Sequence, residues 1–390
     1  MTVPFTDLAA QQHEVDDEVL PRLRAALASG MFVGGPEVDA FEREYAAYTG
    51  ARHCVGMGSG TDALEAALRA VGVGQGVEVI LPANTFIATA EAVIRAGGIP
   101  VLVDVDATSL LIDPDAVEAA SSTATRVIVA VHLHGQAAPV ENLVPIARRI
   151  GAVLVEDAAQ SHGARRHGEV SGSLGRIAAT SFAPGTNLGA AGDGGAVTTD
   201  DPSLARAVRM IGSHGSEDGD EHELLGFTSR LDAVQAIVLS AKLKRLEDWN
   251  ARRRAVASVY SALLHDIEEV VLPQVAKGNE HVWHHYVVRV ANREHVAAQL
   301  AAAGVATGIH YPVPLHRSRA LADQRIRRTD CPVADAAADE LLSLPIFPHM
   351  TARQVVRVTR AMREAFGLRP EGDPFVRERQ IDVTGAWPAA

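Results

Sequence analysis

The chain has 390 residues, 47% hydrophobic and 22% charged, enough to bury a large core and to build one large domain with a smaller one. A net charge of −12 argues against general nucleic-acid binding and still allows a local basic pocket for a phosphorylated ligand. The two cysteines, Cys54 and Cys331, point to a disulfide-free intracellular protein, expected in the cytoplasm. The first seven residues lack the basic region and apolar stretch of a signal peptide, and no membrane span or metal site is expected.

In chain order, Pro36 opens a helical pattern through Ala40, Phe41, Tyr45 and Ala46. A strand over residues 53–57 leads through Gly58-Ser59-Gly60-Thr61 into a helix from Asp62. Apolar, β-branched runs at 77–81, 100–104, 126–132, 152–156 and 178–182 predict further strands. Helical patterns separate them, one beginning at Pro114 with Asp113 as its cap, another over 141–150. This alternation predicts an α/β domain with a mostly parallel central sheet. No repeat of solenoid length is apparent. Asp232 precedes one long helix over 233–254, read as the link between domains. A strand over 283–290 and helices over 295–303 and 352–366 follow. The expected boundaries are 1–248 for an N-terminal arm and large domain, 249–368 for a small α+β domain, and 369–390 for a peripheral tail.

Four groups suit a phosphorylated aromatic ligand. Gly60 and Thr61 lie at a helix start, where free amides attract phosphate; the same turn also reads as a plain strand-to-helix connection. Asp157 ends an apolar strand, at the edge where open α/β sheets bind ligands, and suits a protonated ring nitrogen or an exposed loop acid equally well. Ser181 ends another strand before a Gly-rich loop, where its hydroxyl suits phosphate or needs no ligand at all. Phe86 offers a face for a flat ring, or is ordinary core.

The order of these groups resembles the DegT/DnrJ/EryC1/StrS aminotransferases. Phe5-Thr6-Asp7-Leu8, Ser59-Gly60-Thr61-Asp62, His132-Leu133-His134-Gly135, Glu156-Asp157-Ala158-Ala159-Gln160, Arg230-Leu231-Asp232 and Ile309-His310-Tyr311-Pro312 carry the resemblance. It implies the aspartate-aminotransferase fold of pyridoxal phosphate (PLP) enzymes, and a homodimer with active sites at the interface. Carried over by position, Gly60, Thr61 and Ser181 bind phosphate and Phe86 covers the ring. Asp157 faces the pyridine nitrogen, and Gln160 lies near the ring hydroxyl. Three positions depart from the pattern. Thr186 stands where the imine-forming lysine belongs. Thr228 replaces an asparagine that reaches the partner's cofactor phosphate, and His134 replaces a common tyrosine.

Threonine has no amine for an imine and is too weak a base to move the substrate proton. Loss of a general base costs on the order of 100- to 10,000-fold. Lysine occurs only at Lys242, Lys244 and Lys277. The first two are expected on a solvated helix face and the third in a polar turn, so none is placed in the pocket. The leading expectation is an enzyme of sugar or secondary-metabolite biosynthesis that does not transaminate. Its substrate would be a small nucleotide-sugar or natural product, with PLP or pyridoxamine phosphate (PMP) held non-covalently or absent. Related dehydratases use PMP with a histidine at the lysine position. By that analogy His132, His134, His162, His310 and His316 are candidate bases, beside Asp157. A silent partner of an active aminotransferase, or an engineered lysine knockout, are the other readings; the knockout leaves Thr228 unexplained.

Overall fold

The computed structural model describes residues 2–217 and 221–368. The tail expected over 369–390 lies outside the described residues. An eight-stranded sheet runs in the order His53–Met57, Gly195–Thr199, Ile177–Ser181, Val153–Asp157, Thr125–Val131, Glu78–Pro82, Ile99–Val103 and Arg327–Arg328. Gly195–Thr199 runs antiparallel to both neighbours, and every other pairing is parallel. This is the α/β sheet that the alternation of apolar runs implied. The predicted strands differ from it by about one residue at their ends. Met57, Pro82, Val131, Asp157 and Ser181 end their strands along one edge of the sheet.

Several local signals act as expected. Pro36 is the first residue of the Pro36–Thr49 helix. The Asp113 carboxylate caps Pro114–Ala120 by accepting from the Asp115 amide. The stretch over 233–254 is instead two helices, Ala233–Leu243 and Leu246–Leu264, joined by a turn at Lys244 and Arg245. The burial pattern explains the break. The first helix is wedged between two apolar clusters, with Ala236 and Leu239 in one and Ile237, Val238 and Ala241 in the other. The second turns Val256, Tyr260 and Leu264 toward a different cluster, around a three-stranded antiparallel sheet. That sheet contains Val270–Val271, Tyr286–Val290 and Leu341–Leu344. Its middle strand starts at Tyr286 rather than 283, because Trp283 takes a positive φ of 50° that no strand accommodates. Val3 belongs to the same cluster and bridges to Val305. Among the described residues no helix is long and apolar enough to cross a membrane.

The first turn of the Gly60–Ala70 helix is the join that matters most for the site. Ser59 caps it by accepting from the Asp62 amide at 3.1 Å, so the helix begins two residues before its expected start. A Cβ on Gly60 would sit 2.4 Å from the Ser181 Cβ, so only glycine allows the helix to approach that strand end. Gly60→Ala is expected to cost about 1–3 kcal/mol of stability through overpacking. Urea unfolding measures this; an unchanged midpoint would mean the contact relaxes freely.

Candidate functional site

At the edge where the strands end, one cavity of about 340 Å³ is lined by Gly60, Thr61, Phe86, Asp157, Gln160, Ser181 and Thr186. Gly60 and Thr61 are the first two helical residues, so their amides lie above the helix's own hydrogen-bond ladder. Ser181 sits against Gly60 and accepts from the Ala183 amide at 3.3 Å. Phe86 is 52% exposed rather than core, and its ring centre lies 5.3 Å from that of Tyr311. The Gln160 amide is used at both ends: its oxygen accepts from the His134 amide and its nitrogen donates to the Tyr311 hydroxyl.

Asp157 is the deepest charged group of the cavity. Its Oδ2 accepts from the Thr89 hydroxyl at 2.8 Å and its Oδ1 from the Ala159 amide at 3.2 Å. Burial raises its pKa above the ordinary carboxylate value, against the pull of those two donors. Among the described residues it forms no salt bridge, and the His132 ring adds only a weak favourable interaction. The carboxylate is half-buried and faces the cavity.

Thr186 is held differently. Its hydroxyl lies 2.8 Å from the Ala183 carbonyl and 2.9 Å from the Leu188 carbonyl. Both are acceptors, so the one hydroxyl proton is committed to the backbone and the side chain acts as a loop brace. Thr228 does not line the cavity; its hydroxyl pairs with the His214 ring.

The candidate histidines separate. His132 reaches the cavity wall, yet its Nε2 bonds Glu156 at 2.8 Å and its Nδ1 accepts from the Ala138 amide at 3.0 Å. His162 and His310 lie outside the cavity, bonded to Thr180 and Ser343, and burial holds both near a pKa of about 4. His316 pairs with Asp335. His134 lines a separate cavity of about 160 Å³ with His281 and His285, and burial lowers its pKa to about 3. Among the cavity residues not picked from the sequence are Thr89, Asp193, His284 and Tyr311. Tyr311 stood inside a motif already noted, and His284 inside the histidine-rich run 281–285.

Lys242 also departs from expectation. It is buried, not solvated, with its ammonium donating to the Gly189 carbonyl at 2.9 Å, and burial lowers its pKa to about 8. The cause is the two-sided packing of its helix. It braces the loop after Thr186 from outside the cavity. Lys244 is exposed and paired with Glu18, as expected of a surface lysine.

The sequence profile of the DegT/DnrJ/EryC1/StrS aminotransferase family matches residues 13–363. The chain belongs to that family. It is 48% identical over 351 residues, 90% of this chain and 96% of the relative, to the erythromycin biosynthesis sensory transduction protein EryC1 of Saccharopolyspora erythraea. It is 44% identical over 362 residues, 93% of this chain and 96% of the relative, to the dTDP-3-amino-3,4,6-trideoxy-alpha-D-glucose transaminase of Streptomyces venezuelae. The crystal structure of S. venezuelae DesV in complex with a ketimine intermediate matches with a TM-score of 0.91 and 44% identity, over 93% of this chain and 98% of that one. NtdA of Bacillus subtilis with bound PMP matches at a TM-score of 0.85 and 29% identity, over 94% and 85% of the two chains. Within the DegT/DnrJ/EryC1/StrS family, then, this chain keeps the fold and carries threonine at 186.

The raised pKa of Asp157 has a consequence for stability. The unfolded chain releases this proton at 3.8, before the folded one does, so stability falls as pH rises above that value and levels off past the folded pKa. Asp157→Asn removes that cost, and the Thr89 hydroxyl can turn to accept from the new amide. The variant without ligand is expected to be more stable than wild type at neutral pH, the gap closing toward about pH 4. Denaturant unfolding at the two pH values checks this; a less stable variant at neutral pH would contradict it.

Proposed function

We propose that the protein holds PMP or PLP non-covalently and acts on a small nucleotide-linked sugar or secondary-metabolite precursor, by a reaction other than lysine-dependent transamination. One observation carries this reading. The cavity keeps a half-buried carboxylate that forms no salt bridge among the described residues, while the side chain at position 186 is tied to backbone carbonyls. The relatives' names supply the substrate class, since the S. venezuelae enzyme is named for a dTDP-linked amino sugar.

The residues fit the group. Asp157 would pair with a protonated pyridine nitrogen, and the first-turn amides of Gly60 and Thr61, with the Ser181 hydroxyl, would take the phosphate. Phe86 would lie against the ring, and Gln160 is fixed by the His134 amide and Tyr311 within reach of the same cavity. The bound group would supply an electron sink for charge that develops beside the ring. Asp157 would strengthen that sink by favouring the protonated ring nitrogen. Thr186 contributes no base and no covalent anchor. A homodimer is part of this reading, supported by the exposed Leu27, Met31, Phe32 and Val33 at and after the end of one helix.

Titration with PMP is expected to give saturable, stoichiometric binding without a covalent bond. Thr186→Lys with PLP is expected to gain the imine absorbance band that wild type lacks. Its transamination should exceed that of wild type by about 100-fold or more. Absence of binding by both proteins would sink the reading and favour chemistry without a cofactor.

A further inference from the structure

A neutral hydroxyl such as that of Thr186 is too weak a base, so proton transfer in the cavity needs another group. Among the described residues two imidazoles line the cavity, His132 and His284. His132 has both nitrogens engaged. His284 has one partner, the Asn187 side chain, with Nδ1 and Oδ1 3.3 Å apart. Contacts of this length commonly tighten in a ligand complex.

The hydrogen bonds around Asn187 determine which nitrogen carries the proton. The Asn187 Nδ2 donates to the Val282 carbonyl at 2.9 Å and to the Asn250 Oδ1 at 2.8 Å. The Asn250 amide is itself oriented, because its Nδ2 donates to the His162 carbonyl at 2.9 Å. Backbone carbonyls only accept, so both amides have one orientation. The atom facing His284 is therefore an oxygen, and Nδ1 must hold the proton. Nε2 is left with its lone pair. Burial keeps the ring neutral, with its pKa well below the ordinary histidine value, and Arg253, His310, His162 and His134 add to that effect.

We propose that His284 is the proton-transfer base of this site, held in its working tautomer by Asn187. The inference rests on the cofactor reading above. Nε2 takes a proton from the carbon beside the ring. The C–H electron pair would stay in the conjugated system of the bound group, for which Asp157 is the carboxylate placed to pair with a ring nitrogen. The imidazolium, still bonded through Nδ1 to Asn187, would return the proton to a neighbouring carbon or, with a substrate joined through the amine, to a hydroxyl that departs as water, the C–O pair leaving with the oxygen as the C–H pair forms the new double bond. No outside acid or oxidant is required.

Two measurements test this. The ¹⁵N spectrum of histidine-labelled wild type, with His284 assigned by its loss in His284→Gln, is expected to show the Nδ1–H tautomer; the Nε2–H form would overturn the proposal. In D₂O, wild type is expected to exchange the methylene protons of PMP. His284→Gln is expected to bind PMP and exchange them about 100-fold more slowly or worse. Exchange at the wild-type rate would also overturn it. If wild type does not bind PMP, the cofactor reading fails, and the base falls with it.

Discussion

A buried carboxylate, Glu156, organises the end of the sheet. It is fully buried, and it accepts from the amides of Gly172, Leu174 and Gly175, each at 2.7 Å, and from the His132 ring at 2.8 Å. Removing it would orphan four donors, each costing about 1–3 kcal/mol when buried. Successive side chains of a strand point to opposite faces. Glu156 is turned into the scaffold, so Asp157 is turned into the cavity. One strand end thus supplies both the anchor and the carboxylate that lines the cavity. Strands to either side bring Val131 and Ser181 to the same edge.

The loop that carries Thr186 is as well anchored as the strand. The Thr186 hydroxyl is bound to Ala183 and Leu188, Asn187 to Asn250 and Val282, and Gly189 to Lys242. The loop around Thr186 is therefore firmly held. The sheet edge, Asp157 and the Gly60 turn lie together around one cavity, an ordered arrangement that fits the altered chemistry proposed above.

Much of this was legible in the sequence because strand ends are marked locally. Asp157, Ser181 and the Gly60 turn follow short apolar runs, and the sheet's parallel order brings such ends together. The histidines were harder to place. His134, His162 and His310 stand near the right motifs, but a motif does not say where a ring points. His134 takes a positive φ of 60° and turns toward the second cavity. His284 was hidden because the run from 283 reads as strand. The positive φ at Trp283 interrupts that alternation. Lys242 misled for a related reason: charge and helical pattern suggest a solvated face, and only the packing of two clusters on one helix reveals that it is buried.

The central claim is that the pocket holds its cofactor without a covalent bond. Mass spectrometry after borohydride treatment in the presence of PLP tests it most directly. Under native conditions a complex with intact PLP or its reduced form is expected, and under denaturing conditions the bare chain mass. A reduced adduct that survives denaturation, mapped by peptide analysis to Lys242 or another lysine, would contradict the account.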